Sequence, residues 1–263
     1  MNYKPIKVDF LINKITTKDK LFGGDYTIDP YQNCEFGCVY CDSSVEKTIY
    51  IKKNAPEIFK KELNNIKKGT IIVGSVHDPY QRIEKKELIT RKILYIIKKY
   101  NFSCHILTKS DLVLRDADII SKIDKSRVTI SISSLKKSYS NFFEKNVPSP
   151  NTRLETIFKL KKFGINSGIA IIPIFPYITE DELENIIKNA KKHNANYLLY
   201  KYLELKGDQK NYFFKKIEKF KPNLIKKYKN LYKNNYSPDK NYQKEFKINI
   251  EKLCKKYKIK NKI

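Results

Sequence analysis

The stretch "SPNTRLETIFKLKKFGINSGIAIIPI" (149–174) is a helix followed by a buried strand. Pro150 suits a first helical turn, and Gly164 is the natural stop. Beyond it, Ile and Ala run almost unbroken to Pro173 and Ile174, as in a parallel strand covered on both faces. The same unit recurs on either side. "PEIFKKELNNIKKG" (56–69) reads as a helix with Asn54 as cap and Pro56 in its first turn, and "TIIVGSV" (70–76) as a strand. Helix 85–100, strand 104–110, short helix 117–123 and strand 127–133 follow. After strand 166–174 come a helix at 179–194, opened by a Thr179/Glu182 capping box, and a strand at 195–203. A further strand is expected in "GDYTIDPY" (24–31). Strands alternating with helices mean a parallel sheet of βαβ units with right-handed crossovers. About six units are too few for an eightfold barrel, so the expectation is a partial (βα)6 TIM-like barrel with its chemistry at the C-terminal strand ends.

After Gly207 the pattern changes. Two amphipathic helical stretches are split by Pro222, and another helix is expected within 242–259. The chain therefore divides into a core over 20–205 and a helical, Lys/Tyr-rich extension over 206–263. Its tyrosines have two readings, as a base-stacking platform beside a basic groove or as aromatics packed onto the barrel.

The formal net charge is +26. It fits a polyanionic partner such as nucleic acid. It also fits a lysine-biased composition, since only Arg82, Arg91, Arg115, Arg127 and Arg153 are arginines. No run of about 18 apolar residues suggests a membrane span, and the N-terminus lacks a signal-like apolar region. A cytoplasmic location and reduced cysteines are expected.

"YQNCEFGCVYCDSS" (31–44) follows the first expected strand and carries Cys34, Cys38 and Cys41. Three thiols on one loop indicate a metal or a cluster. Structural zinc needs four ligands, for which His77 or His105 would have to serve. A [4Fe–4S] cluster held by three thiolates leaves one iron open for another ligand.

The C-x3-C-x2-C spacing, with Tyr40 before the third cysteine, resembles the cluster motif of radical S-adenosylmethionine enzymes. "VGSVHDPYQRIEKK", "ILTKSDLVLRD", "VTISISSL" and "IPIFP" follow in the order of the spore photoproduct lyase-like group, also called DNA repair photolyase-like. The resemblance implies that Cys34, Cys38 and Cys41 each ligate an iron, and that S-adenosylmethionine occupies the open iron and is cleaved reductively to a 5′-deoxyadenosyl radical. It places Tyr40 by the adenine and Gly74, Ser75 and Asp78 by the methionyl amino group. It sets Lys109 by the carboxylate and Ser131 and Ser133 by the ribose or carboxylate; Arg153, at the start of the following helix, has two readings, near an anion or in a structural salt bridge. Pro173 marks the strand lining the adenine site in relatives. It also implies an electron donor such as flavodoxin or ferredoxin, and DNA lesion repair as the reaction. One departure stands out. Position 42 is Asp, and no cysteine lies between Cys41 and Cys104, so the lyases' hydrogen-donor thiol is missing. Modification of RNA or protein, and a non-catalytic zinc and nucleic-acid binding protein, are the alternatives.

Overall fold

In the computed structural model, which describes residues 1–44 and 46–263 (backbone only at Ser44), six strands run parallel in one sheet. They are β3 (Tyr26–Ile28), β6 (Thr70–Val73), β7 (Ser103–Thr108), β8 (Arg127–Ser131), β9 (Asn166–Ile174) and β10 (Leu198–Tyr202). A short strand, β2 (Asn13–Lys14), adds antiparallel to β3, giving the order β10-β9-β8-β7-β6-β3-β2. The order is open, as six units require. Ile71, Val73, Ile106, Val128, Ile130, Ile169 and Ile171 are fully buried. Each contributes about 1.5–3 kcal/mol of burial free energy, which is why these runs carry no polar alternation.

The helices cover this sheet. They are α1 (Ala55–Leu63), α2 (Glu84–Glu87), α3 (Ile89–Lys99), α4 (Ala117–Ile120), α5 (Lys137–Phe143), α6 (Pro150–Lys162) and α7 (Leu183–Lys192). α6 starts as its sequence indicates, with Ser149 Oγ accepting from Thr152 N. Three local expectations fail. Asn54 does not cap α1; its amide clamps the backbone of Val8 in both directions, at 2.9 and 2.8 Å. The stretch 85–100 is two helices, broken where Leu88 turns left-handed at φ 55°. Thr179 and Glu182 form no capping box. Thr179 Oγ1 accepts from Phe175 N, and Glu182 accepts from Ser134 Oγ, Leu135 N and Lys136 N.

A second, three-stranded sheet was not foreseen. β1 (Asn2–Ile6) runs parallel to β5 (Thr48–Lys52), which pairs antiparallel with β4 (Tyr31–Gln32). β4 ends just before the cysteine loop and β5 begins just after it, so the ladder Tyr31↔Ile51, Gln32↔Tyr50 joins the two ends of that loop.

The extension forms α8 (Asp208–Phe220), α9 (Pro222–Tyr232) and α10 (Lys240–Lys256). Phe213, Ile217, Tyr228 and Tyr232 join Tyr139, Phe143 and Phe175 in one buried cluster, while Phe246, Ile250 and Cys254 enter the main core. The phenols of Tyr228 and Tyr232 donate to the carbonyls of Pro176 and Leu203. These tyrosines are packing groups. The exposed side of α8 and α9 carries lysines, including Lys215, Lys219, Lys226 and Lys229. No helix among the described residues is long and apolar enough to cross a membrane.

Candidate functional site

The loop after β4 is pinned from three directions. Gln81 brackets it, accepting from Glu35 N at 2.9 Å and donating to the Asn33 carbonyl at 3.1 Å. Glu35 in turn accepts from Ile83 N. Val39 N donates to Phe143 O at the end of α5, and Gln209 of α8 donates to Val39 O. Local sequence could not select this path. The side chains that hold it come from 46 to 170 positions away.

So held, Cys34, Cys38 and Cys41 line one cavity of about 300 Å³ at the C-terminal ends of the strands. Tyr40, Gly74, Ser75, Asp78, Lys109 and Ser131 line the same cavity. Phe22, Ala170, Ile172 and Lys201 line it too, unforeseen from the sequence; on β9 the lining residues are Ala170 and Ile172, and Pro173 is not among them.

Gly74 has φ 85°, and a Cβ there would stand 2.7 Å from the Leu107 carbonyl and collide with Pro79. Only glycine fits this approach of backbone to cavity. Asp29, at the end of β3, holds the turn: Ser75 Oγ donates to it at 2.8 Å, and Val76 N and His77 N at 3.0 Å. Asp78 is similarly engaged. It accepts from Thr108 Oγ1 and Lys109 N, both at 2.7 Å, and from Tyr80 N at 2.9 Å. Burial pushes its carboxyl up, against these hydrogen bonds. Asp78 therefore staples the β6 turn to the end of β7 while one edge still faces the cavity.

Lys109 points its ammonium over the Tyr40 ring at 5.9 Å. Burial disfavours that charge, but Cys38, Glu144, Asp78 and Cys41 outweigh it and raise its pKa. Ser131 faces the cavity, whereas Ser133 Oγ is buried with no hydrogen-bond partner and off the wall. Arg153 is also off the wall. Its fully buried guanidinium donates to the Ser131 carbonyl and pairs with Glu144, both at 2.7 Å. Glu144 accepts the Tyr40 hydroxyl at 2.5 Å. Burial would raise the Glu144 carboxyl, but the Arg153 and Lys109 charges and the Tyr40 hydrogen bond hold it below its ordinary value. Arg153 thus reaches the site through Glu144, which sets the aromatic between the last two cysteines. Sequence reasoning missed Glu144 and Asp29, because a carboxylate shows its role only when its partner is in view.

Burial and the Asp78 charge push the Cys34 thiol up to about 12, and burial pushes Cys38 up as well. Such thiols are neutral near pH 7 until a metal displaces their protons. Among the described residues, no three His, Cys, Asp or Glu side chains converge to clasp a single ion. Zinc would need four donors within about 2.3 Å of one point. His105 is buried elsewhere, bonded to Phe22 O and Thr129, and His77 is not on the cavity wall. A [4Fe–4S] cluster would ask less of the donor set, since each thiolate would ligate a different iron and no single point has to be shared.

The Radical SAM superfamily model matches residues 28–190. An uncharacterised protein of Methanocaldococcus jannaschii is 32% identical over 219 residues, spanning 80% of this chain and 82% of its own. An uncharacterised protein of Mycobacterium bovis is 22% identical over 254 residues, spanning 89% and 75%. Among solved structures, spore photoproduct lyase complexed with dinucleoside spore photoproduct superposes with a TM-score of 0.70 at 15% identity, covering 96% of this chain and 79% of the other. Native anSMEcpe with bound AdoMet gives 0.53 at 14%, covering 82% and 64%. With well over half its length matched by the family, and a parallel sheet that presents three spaced cysteines and a glycine turn to one cavity, the chain belongs to the radical SAM superfamily of enzymes.

Proposed function

We propose that Cys34, Cys38 and Cys41 hold a [4Fe–4S] cluster and that the cavity beside it takes S-adenosylmethionine. The observation that carries this reading is the joint presence of the three thiols, the glycine-only turn at Gly74 and Lys109 on one wall. When bound, the cluster supplies one electron to the sulfonium: the C5′–S bond breaks, methionine keeps a sulfur lone pair, and C5′ keeps one electron. The protein orients the two groups and excludes water. Gly74 lets backbone approach the methionyl end, Lys109 faces its carboxylate, and Tyr40, fixed by Glu144, packs by the adenine. The test is anaerobic reconstitution, with about four irons per chain and release of 5′-deoxyadenosine under dithionite. A colourless protein with stoichiometric zinc would overturn it.

Lys109→Ala should weaken S-adenosylmethionine binding roughly 10- to 150-fold, the loss of one charge-assisted contact of about 1.5–3 kcal/mol. Its iron content should not change. Unaltered affinity would make Lys109 a bystander.

The substrate we favour is damaged nucleic acid. Supporting it are the likeness in fold to spore photoproduct lyase and the concentration of charge in 206–263, where nineteen lysines face five acidic residues. Cys104 and Cys254 are buried away from the cavity, so among the described residues no fourth thiol lines it to return a hydrogen atom. Binding should fall steeply with salt as phosphates release counterions, and ultraviolet-irradiated or single-stranded DNA should be preferred over intact duplex. Titration at two salt concentrations reads both effects. Replacing Lys215, Lys219, Lys226 and Lys229 with Gln should flatten the salt slope. Equal binding to all three DNAs would leave only attraction between polyions.

A further inference from the structure

The turn between β2 and β3 leaves one edge of the large sheet and packs against the other. Asp19 builds it, its carboxylate accepting from Leu21 N at 2.9 Å, Phe22 N at 3.1 Å and Gly24 N at 3.3 Å. Leu21 and Phe22 then pack on Ala170 and Ile172 of β9 and on Tyr197 and Leu199 at the β10 edge. Two glycines make room for this. A Cβ at Gly168 would stand 2.4 Å from the Tyr197 ring, and one at Gly24 2.4 Å from Ile72. Phe22 lines the cysteine cavity, and with Ser75 it also lines an open hollow of about 540 Å³ at the surface. Its ring is thus part of the partition between cavity and solvent. A buried chain of hydrogen bonds fixes the turn from within. His105 Nδ1 meets the Phe22 carbonyl at 2.9 Å, and the two rings stand edge to face at 5.6 Å. A carbonyl only accepts, so Nδ1 carries the proton. Nε2 then accepts from Thr129 Oγ1 at 2.6 Å, which accepts from the Tyr197 hydroxyl at 2.8 Å. Burial pushes the imidazole down to about 4, so it is neutral at pH 7, as this arrangement requires. His105, Thr129 and Tyr197 are buried and do not line the cavity.

We infer that Phe22 is a binding residue of the cysteine cavity, closing it around the bound sulfonium nucleoside, and that His105 is the residue that positions it; the inference rests on the S-adenosylmethionine reading above. His105 acts through its bond to the Phe22 backbone, which fixes how the ring enters the wall. The turn's own apolar side chains, Leu21 and Phe22, are only half-buried. Without the His105 bond, Asp19 and these partial contacts are what hold it. A displaced ring joins the cavity to the surface hollow. The ligand then loses apolar contact, and water enters beside it.

The test is titration of the anaerobically reconstituted protein with S-adenosylhomocysteine, which binds without being cleaved. Phe22→Ala should weaken binding at least tenfold. Two replacements of His105 separate positioning from packing. Asn places an amide nitrogen near the position of Nδ1 and keeps a donor for the Phe22 carbonyl. Gln places one near Nε2, keeps the Thr129 contact and drops the bond to the turn. Both leave core space unfilled, and melts of both should fall. His105→Gln should bind at least fivefold more weakly, whereas His105→Asn should stay within twofold of the unaltered protein. Equal affinities in the two variants, lost or kept, would overturn the positioning role. Unchanged affinity in Phe22→Ala would overturn the binding role. Where a His105 variant does not fold, Asp19→Ala decides in its place. It frees the turn from its other tether, at a half-buried position where the fold should tolerate the change. It should cost at least fivefold in affinity, and an unchanged value would overturn the inference. If the unaltered protein itself fails to bind the probe, the S-adenosylmethionine reading falls and takes this one with it.

Discussion

Cys38→Ala should yield a folded protein that no longer retains its iron and releases no deoxyadenosine. Cys34→Ala and Cys41→Ala should behave alike. Removing one thiolate of three leaves two irons without protein ligands, so the loss should be all-or-none. The fold should survive, because Cys38 sits on a loop held by Gln81, Phe143 and Gln209 and not by its own sulfur. Cys104→Ala, inside β7, and Cys254→Ala, in α10, should keep both iron and activity. Iron analysis of the five variants checks the assignment. Loss of the cluster in Cys104→Ala with retention in Cys38→Ala would reverse it.

Arg153→Met should be the most destabilising single change outside the hydrophobic core. Arg153 is fully buried and Glu144 nearly so. Removing the cation strands a carboxylate in the interior, which costs about 3–5 kcal/mol. For a chain of this size that lowers the melting temperature by on the order of 10 °C. The double variant Arg153→Met, Glu144→Leu should recover most of the loss, since burying neither charge is nearly neutral. Thermal melts of the two single variants and the double separate the pair's contribution. The pH dependence follows from Glu144. Its folded pKa is depressed, so its contribution is complete above the ordinary carboxylate range of about 4 and is lost as pH falls through the folded value. A melt series below pH 5 should therefore be flatter in the double variant.

Much of the fold was legible because it depends on short-range pattern. A buried parallel strand has to be apolar on both faces, and a helix has to stop at Gly164 or before Pro222; neither needs knowledge of a distant partner. The cysteine loop was legible for the same reason: three thiols fall within eight residues, and the structure brings them to one cavity. What stayed hidden depends on partners far along the chain. Glu144 is an ordinary acidic residue until Tyr40, 104 positions earlier, donates to it. Thr179 and Glu182 have the spacing of a capping box, yet the loop after β8 offers Glu182 three donors and takes it. The extension's tyrosines have two readings in sequence, a stacking surface or packing groups, and only the cluster shared with Phe143 and Phe175 shows that Tyr228 is interior. Arg153 combined both cases: the sequence placed it at the start of α6, but its partner decided its role.

The ladder of β4 and β5 closes the ends of the cysteine loop with backbone hydrogen bonds, whether or not anything is bound to the thiols. Closing roughly fifteen residues costs about 2 kcal/mol of chain entropy, and here the polypeptide has already met that cost. If the thiols hold iron as proposed, the arriving metal would not have to fold its own binding site. On the cluster reading proposed above, a chain stripped of its iron by oxygen would remain a template with its three thiols lining one cavity, and reloading it would be a matter of supply and reduction rather than of refolding.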